Sequence, residues 1–170
     1  MFLSAGHSNK DPGAVGHGRK EADIAEDFRN LVSTQLSINK YPHEVDAKGT
    51  ENTVLNDAIK RMKAHRVGME FHCNAAENPA ATGVEVLCAP KDNILAGRLC
   101  KAIADSLGIR NRGVKAENSG QHHRLGFVQA GGMIVELFFI SNKSDLAAYD
   151  AKRLDAAKNV ARTLIEYGQR

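Results

Sequence analysis

Met1-Phe2-Leu3-Ser4-Ala5-Gly6-His7-Ser8-Asn9-Lys10-Asp11-Pro12-Gly13-Ala14, running on to Glu21, opens the chain with an apolar run, a polar loop and the start of a helical pattern. The apolar run is too short for anything but a strand. The loop is rich in glycine and has a histidine at its start. The helix that follows carries Glu21 in its first turn, where acids are favoured. A histidine at a strand exit and a carboxylate at a helix start can form two jaws of a metal site. A solvated loop with an incidental histidine fits these residues as well.

From there the pattern alternates. Ile24, Ala25, Phe28, Leu31, Val32 and Leu36 recur at helical spacing, predicting a helix over about 20–38. Tyr41 to Val45 reads as a short strand, and Val54, Leu55, Ala58, Ile59 and Met62 as a second helical face. Val67 to His72 and Gly83 to Cys88 read as strands, the second closed by Pro90. Asp92 or Asn93 caps a helix that carries Leu95, Leu99, Ile103 and Leu107 and stops at Gly108. Arg112 to Lys115 is extended, 116–124 is loop, and 126–130 is a brief helical turn. Met133-Ile134-Val135-Glu136-Leu137-Phe138-Phe139-Ile140 is the most hydrophobic strand and should be central. Ser141-Asn142 caps a short helix through Tyr149, and a last helix carries Leu154 to Ile165 and ends at Gly168. Strands alternating with helices predict an α/β fold: one domain over 1–170, with a mostly parallel (mixed) twisted sheet of about six strands flanked by about five helices.

The bulk properties exclude several classes. A chain of 170 residues suits one domain with one core. A net charge of +3, with acids and bases interspersed, is no nucleic-acid footprint. The three cysteines, Cys73, Cys88 and Cys100, lack paired spacing and read as reduced, buried thiols. No run is long enough to span a bilayer, and no basic segment precedes an apolar one at the start. The chain is therefore expected to be made in the cytoplasm without a signal peptide.

Functional groups in such a sheet gather beyond the carboxyl ends of the strands. His7 and His72 both fall there. Glu136 is a carboxylate inside an apolar strand, costly to bury unless it is compensated or used. It reads as the partner of an arginine, as a carboxylate pointing off the sheet edge, or as a general acid or base with a raised pKa near a metal. Cys73 cannot act with His72 as a nucleophile pair, because adjacent strand residues face opposite ways. Asn74 could orient a ligand from behind or simply cap the loop. His17, His122 and His123 lie in polar loops, where histidines are usually solvated.

Five short motifs, taken in order, resemble one family. They are Gly6-His7 with Asp11-Pro12-Gly13-Ala14; Glu21; Phe71-His72-Cys73-Asn74-Ala75; Arg112-Gly113-Val114-Lys115; and Val135-Glu136 with Phe139-Ile140-Ser141-Asn142. Together they resemble the zinc-dependent N-acetylmuramoyl-L-alanine amidases of the amidase-3 type, over nearly the whole chain. Each motif alone is weak, and their order is what is specific. The resemblance implies an amidase-3-like catalytic domain over 1–170 with one Zn2+ held by His7, Glu21 and His72. It implies that Glu136 is the catalytic base and that the bond cut joins N-acetylmuramic acid to L-alanine in peptidoglycan. It implies a peptidoglycan substrate, no nucleic acid, no integral membrane association and a monomer.

The sequence departs from the family pattern at Cys73, at Ser8-Asn9-Lys10 and at Gly131-Gly132-Met133. Regulated members carry an inserted helix after the second histidine. Here His72 reaches the next strand at Gly83 without room for one, so an open site is expected. A bare catalytic domain without an export signal looks like a phage or prophage endolysin that acts on the cell wall after release. A zinc peptidase of the stem peptides and a catalytically silent wall-binding module are the rival readings. The complete set of candidate ligands together with Glu136 argues against the second.

Overall fold

The apolar start of the chain forms β1 (Phe2–Ala5), buried along its whole length. It pairs in parallel with β4 (Glu44–Val45) on one side and β5 (Gly68–Asn74) on the other. A computed structural model describes residues 1–119 and 124–169 of the chain. Beyond β5 lies β8 (Met133–Phe139), again parallel. β6 (Val84–Leu87) pairs antiparallel with β8, and β7 (Asn111–Lys115) parallel with β6. The six-stranded order is β4-β1-β5-β8-β6-β7, so the strand that carries Glu136 is central, as its hydrophobicity predicts.

Strand alternation divides the side chains between two faces. Leu3, Ala5, Met69, Phe71, Cys73, Val135 and Leu137 join the main core with α1 (Glu21–Ile38), α3 (Asn93–Leu107) and α5 (Lys143–Gly168). Phe28 of α1 meets Phe71 edge to face at 5.1 Å, and Tyr149 of α5 stacks on Phe138 at the same separation. Each such buried aromatic contributes about 1.5–3 kcal/mol of transfer free energy. The opposite face is covered more lightly. There Phe2 packs with Ala58 and Met62 of α2 (Leu55–Met62) and with Phe127 of α4 (Gly126–Gln129). The alternate residues Glu70, His72, Glu85 and Glu136 belong to this second face.

Two predicted features differ. The C-terminal helix is one continuous element, Lys143–Gly168, where the sequence reading has two helices. Residues 150–153 contain neither glycine nor proline, and Ala156, Ala157, Val160, Ala161 and Leu164 extend the buried stripe begun by Leu146 and Tyr149. Asn142 caps it as expected, its Oδ1 accepting from Ser144 N and Asp145 N at 2.9 and 3.0 Å. The opening loop also hides a small hairpin, β2 (Val15–Gly16) with β3 (Arg19–Lys20). Its turn residues His17 and Gly18 have φ of 48° and 76°, both positive, as a two-residue turn matched to strand twist requires.

One buried ion pair fixes the loop beside the first histidine. Arg29 of α1 and Asp46 are both fully buried, with Nη1 and Oδ1 2.8 Å apart. The same guanidinium donates to the carbonyls of Gly49 and Glu51 at 3.1 and 3.0 Å. The loop so held presents Asn52, whose Nδ2 donates to Gly6 O at 2.8 Å and whose backbone N donates to Asn9 Oδ1 at 2.8 Å. Arg29→Leu strands Asp46 without its cation. It is expected to lower the unfolding free energy by about 3 kcal/mol, read from a shifted urea midpoint at unchanged slope.

Candidate active site

His7 lies just past the end of β1, Glu21 is the first residue of α1, and His72 lies on β5 directly across from Glu136 of β8. The structure brings the first three together: one donor atom from each lies within 4.8 Å of the others. His7 Nε2 and His72 Nδ1 each stand 2.9 Å from Glu21 Oε1. Glu21 also accepts from two backbone groups, Cys73 N at 3.0 Å and Ala14 N at 2.9 Å. The far nitrogen of each imidazole meets a second carboxylate. His7 Nδ1 is 3.0 Å from Asp11 Oδ2, and His72 Nε2 is 3.1 Å from Glu70 Oε1. Ser4 Oγ donates to the other Glu70 oxygen at 3.2 Å. Two imidazoles and a carboxylate form a donor set suited to zinc, and carboxylates behind the imidazoles fix ring orientation and tautomer.

Glycines make room for this cluster. A Cβ at Gly13 would sit 2.6 Å from the His7 ring and 2.7 Å from Glu21 Oε2, and its φ of +64° suits glycine independently. A Cβ at Gly6 would run into the His72 ring. Burial opposes protonation of both histidines, but their carboxylate partners outweigh it and raise both pKa values. Burial likewise opposes ionisation of Glu21, but hydrogen bonds from His7 and His72 hold its carboxyl well below the usual range. A cluster that binds protons this readily also suits a divalent cation, which would displace them.

Glu136 stands apart from these contacts. Its Oε2 is shut off from solvent with no hydrogen-bond partner among the described residues. Burial raises its pKa to about 7, the nearby charge of His72 opposes the rise, and those of Glu21 and Glu85 add to it. Among the described residues no arginine pairs with it. Glu85 lies opposite Glu136 on β6 and is the carboxylate that does take an arginine. Arg112 Nε donates to it at 2.7 Å and Asn74 Nδ2 at 2.8 Å, while the Arg112 guanidinium lies over the Phe139 ring at 4.9 Å.

Glu70 and Glu85 were not singled out in the sequence. The available signal was parity: Glu70 is two residues from His72 on a strand and must share its face. Cys73 packs into the core as expected, its thiol pushed well up by burial and then by the Glu21 charge. His17 stays outside the cluster, its Nε2 3.1 Å from Ser141 O. Arg124 reaches Gln129 Oε1 at 3.0 Å, and Asn118 lines a separate hollow beside Pro90 and Gln129. Lys115 ends β7, the edge strand three places from the one that carries His72. His122 and His123 lie outside the described residues.

A mostly parallel sheet with this cluster at the carboxyl ends of its strands defines an α/β protein with a preformed cation-type donor set. The chain belongs to the Amidase_3 family, described as N-acetylmuramoyl-L-alanine amidase, which matches residues 1–166. A crystal structure from Neisseria meningitidis superposes with a TM-score of 0.89 at 42% identity, covering 98% of this chain and 94% of that one. The catalytic domain of the amidase CwlV from Bacillus (Paenibacillus) polymyxa shares the fold, with a TM-score of 0.85 at 21% identity over 99% of this chain and 97% of that one. The N-acetylmuramoyl-L-alanine amidase LytC of Bacillus subtilis is 24% identical over 85% of this chain, which spans only 30% of LytC. An endolysin of Bacillus phage SPP1 is 27% identical over 86% of this chain and 57% of its own length.

The raised pKa of Glu136 has a measurable consequence. In the metal-free fold this carboxyl keeps its proton up to about pH 7, whereas the unfolded chain releases it near 4.5. Between those values the unfolded state binds fewer protons, so this group lowers stability as pH rises. Glu136→Gln removes the effect. Denaturation in chelator should show the variant gaining on wild type between pH 5 and 7, by up to about 3 kcal/mol.

Proposed function

We propose that the chain, as one catalytic domain over 1–170, hydrolyses the amide between the lactyl group of N-acetylmuramic acid and L-alanine in peptidoglycan. The reading extends to one zinc ion held by His7, Glu21 and His72. It is carried by one observation, the His7–Glu21–His72 cluster facing Glu136, whose buried Oε2 has no hydrogen-bond partner among the described residues, in a chain of this family. When bound, zinc would supply a Lewis acid and bring the pKa of water toward about 7.

The chain's own residues do the rest. Glu136 takes a proton from the attacking water, whose oxygen bonds to the carbonyl carbon. The carbon–nitrogen bond then breaks as Glu136 returns that proton to the alanine nitrogen. The products are a lactyl carboxylate on the sugar and a stem peptide with a free amine. Glu136 suits both proton transfers because a pKa near 7 lies close to working pH. Asp11 and Glu70 keep the two imidazoles aimed at Glu21 throughout. The reading places the protein's action at the cell wall, in the manner of an endolysin. Among the described residues no helix is long and apolar enough to cross a membrane, and none lies between Asn74 and Val84 to cover the site.

Purified protein incubated with sacculi should free intact stem peptides bearing new L-alanine amines. Cuts within the stem would instead identify a peptidase. Glu136→Gln is expected to keep fold and zinc content and lose about 10²–10⁴-fold in rate. Glu70→Gln should fold normally and bind zinc about ten- to a hundredfold more weakly in chelator competition. His72→Ala with unchanged metal content would remove His72 from the ligand set.

A further inference from the structure

Two hollows, of about 430 and 360 Å³, meet at the histidine pair and share His7, His72, Leu125 and Ile134. They are two lobes of one cleft, and their outer walls differ. Val54, Leu55 and Phe127 line the first lobe and not the second. Asn74, Glu85, Glu117 and Glu136 line the second and not the first. The register explains the arrangement. His72, Glu136 and Glu85 form a row across β5, β8 and β6, while His7 follows β1 on the other side of β5. The base therefore sits on one side of the histidine pair only.

We propose that this asymmetry fixes the direction in which substrate lies: the acyl half in the lobe of Val54 and Leu55, the amine half in the lobe of Glu85 and Glu117. The inference rests on the amide-hydrolase reading with Glu136 as the proton carrier. An amide nitrogen leaves only as it gains a proton. The group that delivers this proton lies in the second lobe, so the nitrogen and the peptide beyond it lie there too. The other substituent of the carbonyl carbon then points into the first lobe.

The wall chemistry agrees. The acyl half brings the lactyl methyl and the methyl of an N-acetylated sugar. The first lobe meets them with Val54 and Leu55, large apolar side chains left 54% and 51% exposed. The amine half brings peptide N–H groups and, where the third stem residue is a diamino acid, an ammonium. Carboxylates line both lobes, but Asp11 and Glu70 of the first are turned onto the histidines, whereas Glu117 of the second is held by neutral donors, Leu125 N and Gln129 Nε2, and keeps its charge for the ammonium. Both oxygens of Glu85 are already taken by Arg112 and Asn74, which makes it a rigid wall of this lobe and leaves the ammonium to Glu117.

The test compares three synthetic substrates: a muramyl tripeptide ending in a diamino acid, the same tripeptide carrying only the lactyl group, and a muramyl dipeptide. Val54→Ser/Leu55→Gln opens the first lobe. Serine at the position preceding α2 favours the helix start, so the fold should persist, which circular dichroism checks. This variant should lose about fivefold in kcat/KM on the muramyl substrates and less on the lactyl peptide, which keeps only the lactyl methyl for this lobe. Glu117→Gln should lose about threefold on both tripeptides and nothing on the dipeptide. A reversed pattern, equal losses on all three substrates, or no loss anywhere overturns the proposed direction. Failure of the wild-type protein to free peptide from any of them overturns the hydrolase reading itself, and the direction with it.

Discussion

The Glu21 carboxylate is the contact on which the site depends. It is only 4% exposed, yet it gathers His7, His72, Cys73 N and Ala14 N around its two oxygens. Those partners come from the loop after β1 and from the end of β5, so a single side chain joins two segments to the start of α1. The position suits an anion, because the first turn of a helix presents unpaired N–H groups and the positive end of its dipole. Lys20, which precedes the helix, makes no side-chain cap. Glu21 N and Ala22 N instead donate to Ala14 O and Pro12 O at 2.9 and 3.1 Å. The helix start is thus fixed by the same loop that carries His7, and movement of either moves the other.

The sheet separates stability from chemistry by face. On one side the alternate residues of every central strand are apolar and covered by three long helices. On the other, Ser4, Glu70, His72, Glu85 and Glu136 occupy the intervening positions under two short helices and a cleft. Carboxylates crowded this way repel one another and are desolvated, which destabilises the fold locally. Glu70 and Glu85 are relieved by His72 with Ser4 and by Arg112 with Asn74. Glu136 is the exception: its Oε2 is buried without a hydrogen-bond partner among the described residues. The hydrophobic face supplies the surplus that tolerates it.

Much of this was legible in the chain. Period-2 and period-3.6 patterns located every strand of the main sheet, all but one helix boundary region, and the helix stop at Gly108. His7 and His72 stood out at strand ends and Glu136 inside an apolar strand, whereas Glu21 fits its helix start and was joined to them by the order of the family-like motifs. What was not legible depends on contacts between segments distant in sequence. The hairpin at 15–20 is two residues per strand, below the length at which alternation can be seen. The break expected after Tyr149 had no glycine or proline behind it, and the buried stripe on α5 settles it. Glu85 and Arg112 are 27 residues apart and meet only because β6 and β7 are neighbours. Glu70 looked like an ordinary strand residue because its partner was itself read as a ligand and not as something that needs orienting.

His7 shows how the distant parts converge on the site. Its φ is +67°, a conformation that costs a non-glycine residue about 1–3 kcal/mol unless its surroundings enforce it. The enforcement is specific. Gly6 N donates to Phe71 O and Gly6 O accepts from Asn52, each at 2.8 Å, so the peptide before His7 is gripped from both sides. Asn52 is placed by the loop that Arg29 and Asp46 anchor within the core. Beyond His7, Ser8 and Asp11 pair through their backbones, and Asp11 reaches back to the imidazole. A relaxed backbone at this position would aim the ring away from Glu21. The buried ion pair under α1 is therefore connected to the chemistry through one asparagine, and the strain at His7 is the form in which the fold holds the ring in place.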